Sequence, residues 1–262
     1  MFGLTLLAQV NPRELVRQSI ANGQKAWKDS RSYSYTKLDI RTQFNGDGQV
    51  VSTDRNLYWV RPVCGNAYQE HIAHDGKPVA ADETERQQKE LLQRECAGPA
   101  VEKAQETQQR HQDTFEEIPD AFDFKIIGEE VLPTGPAFVV RATPRNGYEP
   151  RSRYGRVFSK VSGKLWIDKR DIQWVKAEGI VTDSVSFGWF IARLAKGSQV
   201  RLEQTRLPDG TWVPKKVEAN ASARALFVFN RNFQQTITYT GYQKGSIKLT
   251  QDLRTLKTEL MR

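Results

Sequence analysis

Cysteine and histidine are scarce in this chain, and that scarcity removes several kinds of chemistry. Its 262 residues include two cysteines and three histidines. Two cysteines fall short of the four ligands of a structural zinc site, and three histidines leave a histidine-based nucleophilic triad few ways to form. No GxSxG elbow is present. Gly155 to Lys164, GRVFSKVSGK, contains glycines but not the spacing of a phosphate-binding loop. No apolar run approaches the roughly 18 residues that a membrane-spanning helix requires, and neither a solenoid repeat nor a low-complexity tract occurs. No catalytic residue, metal site or cofactor is expected, and the chain reads as a non-enzyme.

Aromatic residues are plentiful. Six Trp, eight Tyr and twelve Phe, within 38% hydrophobic residues, are enough to build a core or line a cavity, so whole-chain disorder is excluded. The net charge of +8 favours anionic surroundings, whether nucleic acid, an anionic membrane surface or an acidic partner. A single-strand-binding groove would draw on Arg151, Arg153, Arg156, Lys160 and Lys164 beside Tyr148 and Tyr154. Lys and Arg are, however, spread over nearly every predicted strand and interleaved with Asp and Glu, which favours a solvated outer face and no nucleic-acid partner. The first residues, MFGLTLLAQ, carry a short apolar run from Phe2 to Ala8 without a basic flank. Residues 1–9 read as the remnant of an export signal, the alternative being a frayed segment or a first helical turn packed on the core. Cys64 and Cys96 permit one disulfide in an exported protein, or stand as two buried thiols.

Along the chain, Asn11 followed by Pro12 starts a helix predicted over residues 12–28, with Leu15, Val16, Ile20 and Trp27 at helical spacing. Alternation begins at Ser32 and leads to an NGDG turn at residues 45–48. A second strand leaves that turn, a third carries LYWVRP at 57–62, and a fourth, AYQEHIAH, ends at Asp75–Pro78. Residues 82–115 are rich in Glu, Gln, Lys and Arg and read as helix, broken by Gly98 and Pro99. Strands then resume at 122–127, 137–142, 199–206, 211–221, 225–230 and 236–242, and in the hairpin GKLWIDKRDIQWVKAE of residues 163–178. The spacing predicts a single domain over residues 10–262, a β-meander of ten or more strands joined in sequence order. His71 and His74, three apart in a strand, are expected on opposite faces. The acidic group Glu116, Glu117, Asp120 and Asp123 lacks the glycine spacing of a calcium loop and is expected in a solvated connection.

A large antiparallel sheet with this aromatic content has two ways to use it. One is a filled core, and the other is an apolar cavity for a lipid-like ligand. LYWVRP after the NGDG hairpin, the preceding helix and the later GKLWID hairpin together resemble the LolA/LolB-like family of periplasmic lipoprotein-sorting proteins. The resemblance implies an α+β fold, an open, strongly curved antiparallel half-barrel of ten or eleven strands wrapped around an N-terminal helix, with a helical lid over a cavity for acyl chains. It implies a periplasmic carrier, a monomer, whose partners are lipid or lipoprotein acyl chains, with transient contact to the membrane surface or envelope proteins. The residues expected to line the cavity or its mouth are Trp59, Trp166, Trp174, Phe187, Trp189, Phe190, Trp212, Phe227 and Phe229. Arg61, before Pro62, matches the family's arginine that fastens the lid to the sheet; otherwise it is an exposed strand-end charge. The charged helical insertion at 82–115 departs from the carrier's pattern. The alternative reading is an interaction or sensor module of the envelope that uses the same fold without lipid transfer.

Overall fold

In the computed structural model, described for residues 10–63, 66–80, 98–152, 155–187, 192–225 and 229–245 together with 82, 83, 85, 86 and 89, helix α1 runs over Pro12–Ser30. Its start is fixed locally: the Asn11 side chain accepts from the Arg13 and Glu14 amides at 3.0 and 3.2 Å, and Pro12 occupies a position where a missing N–H costs nothing. The hairpin β1 (Tyr33–Phe44) and β2 (Val50–Val63) follows, then β3 (Asn66–His74) and the short β4 (Lys77–Pro78). Helix α2 covers Gly98–Ala121 and opens at the expected break, with Pro99 in its first turn. Then come β5 (Phe122–Leu132), β6 (Gly135–Pro144), the one-turn α3 (Gly155–Phe158), β7 (Val161–Asp168) and β8 (Trp174–Val181). The chain continues through β9 (Val185–Phe187), β10 (Ala192–Leu194), β11 (Gln199–Arg206), β12 (Trp212–Ala225) and β13 (Phe229–Lys244).

These strands form one open, curved antiparallel sheet whose main path is β4-β3-β2-β1-β13-β12-β11-β8-β7-β6-β5, with the β9–β10 hairpin appended to β12. β4 and β5 are the two edges, yet they are consecutive in the chain. The segment between them therefore has to pass from one edge to the other, and α2 makes the last part of that passage packed against α1.

The two faces of the sheet differ in kind. On one, Phe138, Val140 and Ile167 pack against Leu15 and Val16 of α1, with Phe124, Ile126, Leu165 and Ile118 around them. Burying such side chains contributes roughly 1.5–3 kcal/mol each. The opposite face carries a row of charges in direct cross-strand register: Lys125, Arg141, Lys164, Glu178, Arg201 and Glu218. Ion pairs run along it, from Lys176 and Arg201 to Glu178 at 3.0 Å and from Lys216 to Glu218 at 2.7 Å. The basic residues interleaved with acids are thus the outer face that their pattern predicted.

Three boundaries differ from expectation. LYWVRP is the second half of β2, because no turn residue interrupts the polar alternation from Ser52 to Asn56. Asn230 to Asn232 likewise lie inside β13, paired with Arg224 to Ser222, so the expected strands 225–230 and 236–242 do not stand as two separate elements. The acidic group at 116–123 is no loose connection: α2 extends to Ala121, and Glu117, only 2% exposed, accepts from the Tyr148 hydroxyl and from the Arg151 amide at 3.0 Å. Asp120 and Asp123 hold Arg151 and Arg145 at 3.1 and 3.2 Å. His71 and His74 also share a face, their rings 6.3 Å apart, because β3 carries an extra residue relative to β2 between His71 and Ala73.

Two consequences are measurable. Gly163 faces Gly179 across β7 and β8, and a Cβ there would sit 2.3 Å from the Glu178 carbonyl oxygen. Gly163→Ala is expected to lower stability by about 1–3 kcal/mol in urea unfolding. Burial works to raise the Glu117 pKa, but bonds from Ser152, Tyr148 and the Arg151 amide outweigh it and hold the carboxyl below the usual range. A depressed carboxylate stabilises the fold above its unfolded pKa and ceases to do so as pH falls through its folded one. Acidification from pH 6 to pH 3 should loosen the end of α2, read by amide exchange, and Glu117→Gln should flatten that dependence.

Candidate functional site

The turn of the β7–β8 hairpin sets α1 over the sheet. Buried Asp168 closes the turn by accepting from the Arg170 and Asp171 amides at 3.0 and 2.9 Å. The Asn22 side chain of α1 then donates to the Asp171 and Ile172 carbonyls at 3.0 and 3.1 Å. The next residue of α1, Gly23, lies against the Trp174 indole, where a Cβ would come within 2.5 Å of Nε1. Trp212 is fixed separately, its Nε1 donating to Asp171 at 2.9 Å. Burial works to raise the Asp171 pKa, but the Trp212 N–H, Arg170 and Arg206 outweigh it and keep this carboxyl charged well into the acid range.

Between α1, α2 and strands β8, β11, β12 and β13 lies a cavity of about 580 Å³. Its walls are largely apolar: Ile20, Gly23 and Trp27 from α1, Phe115 from α2, Trp174, Leu202, Trp212, Pro214 and Val217 from the sheet, and Tyr239 at one side. Trp27 and Phe115 remain 43% and 47% exposed, so the aromatic lining reaches the surface. Tyr239 belongs to a cluster with Tyr35 and Tyr242, rings 5.9 and 4.9 Å from Tyr35. Burial pushes the Tyr35 pKa up to about 12 and raises those of Tyr239 and Tyr242, so all three stay neutral phenols. A volume in this range, apolar walls and a few polar groups are the features of a site for an apolar small molecule.

The same face continues into a shallower groove of about 640 Å³ over β6 to β13. Its floor is the cross-strand row Ala142, Gly163, Gly179, Val200, Ala219 and Gln235, each paired with the next. Val200 and Ala219 are two residues along their strands from Leu202 and Val217 in the cavity wall, a step of about 7 Å.

Of the residues expected at the site, Trp174 and Trp212 line the cavity. Trp166 lies on the other face, 4% exposed, its Nε1 donating to Glu130 at 2.6 Å and its ring covered by the Lys176 ammonium. Trp59 is paired with Thr36, out of phase with Tyr35 and Tyr239, and so also faces away from the cavity. Arg61 stands beside Trp59, its guanidinium 5.2 Å from that ring and 3.4 Å from buried Glu70 of β3. Phe187 pairs with Ala192 in the β9–β10 hairpin and Phe229 opens β13 opposite Ala225. Trp189, Phe190, Phe227, Cys64, Cys96 and residues 1–9 lie outside the described residues. Trp27 and Gln24 were missed as site residues although Ile20, Gly23, Gln24 and Trp27 recur at helical spacing on one face. Phe115 was missed because the helix was ended there.

The chain is similar in structure to LolA-superfamily proteins. A LolA superfamily protein from Nitrosomonas europaea matches 92% of this chain and 96% of its own, at 9% identity and a TM-score of 0.32. An outer membrane lipoprotein-sorting protein domain from Vibrio parahaemolyticus matches 92% and 97%, at 12% identity and a TM-score of 0.36. A DUF1329 family protein from Desulfovibrio piger matches 93% and 97%, at 11% identity and a TM-score of 0.36. No family model and no curated protein matches the sequence. Among the described residues, no helix is long and apolar enough to cross a membrane.

Gly23→Ala tests how the site is packed. At an unconstrained helix position the change would stabilise by about 1 kcal/mol. Here it should displace the Trp174 indole, lowering the thermal midpoint and shifting the tryptophan emission.

Proposed function

We propose that this protein is a periplasmic carrier that holds an acyl chain of a lipid or lipoprotein in the cavity beneath α1 and α2. The observation that carries this reading is the tract of Trp27, Phe115, Trp174, Leu202, Trp212 and Val217, which is apolar, concave and open to the surface at Trp27 and Phe115. Removing apolar surface from water stabilises a complex by roughly 25 cal/mol per Å², and a chain laid along this wall replaces exposed aromatic surface with contact. Movement of α2 relative to α1 would govern entry and release. Single-domain organisation over residues 10–262, export, and the roles of Trp174 and Trp212 as cavity wall belong to the same proposal, whereas Arg61, on the face turned away from the cavity, is bonded to Glu70 and given no lid role. No catalytic step is needed.

Native mass spectrometry of protein purified from its own envelope should show a lipid adduct, and a fluorescent acyl-chain probe should bind saturably. Trp27→Ala or Phe115→Ala should weaken the probe about three- to tenfold, in line with roughly 1 kcal/mol of lost contact. Absence of both adduct and probe binding would favour the interaction module that uses this fold without lipid.

A further inference from the structure

The face of α1 that looks into the cavity is apolar except at Gln24 and Ser30, and the Ser30 hydroxyl already donates to the Trp27 carbonyl at 2.8 Å. Ile20 and Trp27 supply bulk and Gly23 makes room for Trp174, but Gln24 places an amide among them, and its Nε2 is buried without a hydrogen-bond partner. A buried donor left unpaired is costly, and native structures keep such a group where something else satisfies it. Three other polar groups at or beside the cavity are already engaged. Gln204 accepts from Gln173 at 2.8 Å, Asn22 is bonded to the hairpin turn, and Lys216 turns to Glu218 at 2.7 Å.

We propose that Gln24 is the recognition residue for the carbonyl oxygen of an acyl ester or amide, so that the bound chain lies along the aromatic wall with its linkage carbonyl at Gln24. The proposal rests on the acyl-chain reading above and specifies which acyl compounds fit. A neutral N–H suits a neutral acceptor. A free carboxylate would call for a cation, and the ammonium of Lys216, in the cavity lining, is held by Glu218. The ligand class is therefore a chain joined through an ester or amide, not an ionised fatty acid.

Competition against a fluorescent acyl-chain probe tests this with 1-monolauroylglycerol and 1-O-dodecylglycerol, an ester and an ether that differ in the carbonyl, and with dodecanoate at pH 8. The ester should compete about three- to tenfold better than the ether, the gain of one net hydrogen bond, and better than dodecanoate. Gln24→Met should bring the ester down to the ether while leaving the ether unchanged, and Gln24→Glu, which cannot donate when ionised, should do the same. Equal competition by ester and ether in the unmodified protein overturns the assignment whatever the variants do, as does a preference that survives Gln24→Met. Dodecanoate competing as well as the ester overturns the choice of a neutral head. Binding of none of the three would instead overturn the acyl-chain reading itself, and the assignment with it.

Discussion

The constraint on which the rest depends is topological. β4 and β5 follow one another in sequence but form opposite edges of an open sheet, with β1 and β13 paired in the interior between them. An antiparallel sheet with unpaired edges must shield or shorten them, and β4 is indeed only two residues long. More important, the chain joining the two edges has to span the sheet, and its described last part, α2, packs against α1. A helix pair over one face of a curved sheet leaves space wherever the helices diverge from the strands. The aromatic cavity is that space, near the C-terminal half of α1, whereas Leu15 and Val16 in its first half are packed solidly on Phe138, Val140 and Ile167.

Alternation then assigns chemistry to the two faces. β11 and β12 present Leu202 and Val217 toward the cavity and Arg201 and Glu218 away from it, whereas β6 and β7 turn Val139 and Trp166 away from α1 as well. On the outer face Arg201 pairs across the strands with Glu178 and Glu218, and the aromatic residues are divided: Trp174 and Trp212 inward, Trp59 and Trp166 outward. Trp166 is buried all the same, because it packs with Val139, Val175 and Trp212 and because Glu130 and Lys176 fold over it.

Much of this was legible in the sequence. The Asn11–Pro12 cap, the NGDG turn and the 163–178 hairpin are local devices, and local devices are readable. Features that depend on partners were not. Whether a Trp in a strand faces α1 depends on register and bulges, and the Trp166–Ile167 irregularity in the β7–β8 pairing is silent in the sequence. The extra residue of β3 put His71 and His74 on one face against simple alternation. Glu117 looked like part of a solvated acidic run because its partners, Tyr148 and the Arg151 amide, arrive from 31 and 34 residues away. Gln24 carries no local signal of its role, because the walls that enclose it, Trp174 and Trp212 among them, come from strands about 150 or more residues away.

The central claim is that an acyl chain occupies the space between α1, α2 and the inward tryptophans. Fluorine NMR of protein labelled with fluorotryptophan, with resonances assigned by single Trp→Phe changes and titrated with 1-monolauroylglycerol, tests it most directly. The account predicts saturable shifts at Trp27, Trp174 and Trp212, with Trp59 unmoved. Shifts confined to Trp59 or Trp166, or no saturable shift at any tryptophan, would contradict it.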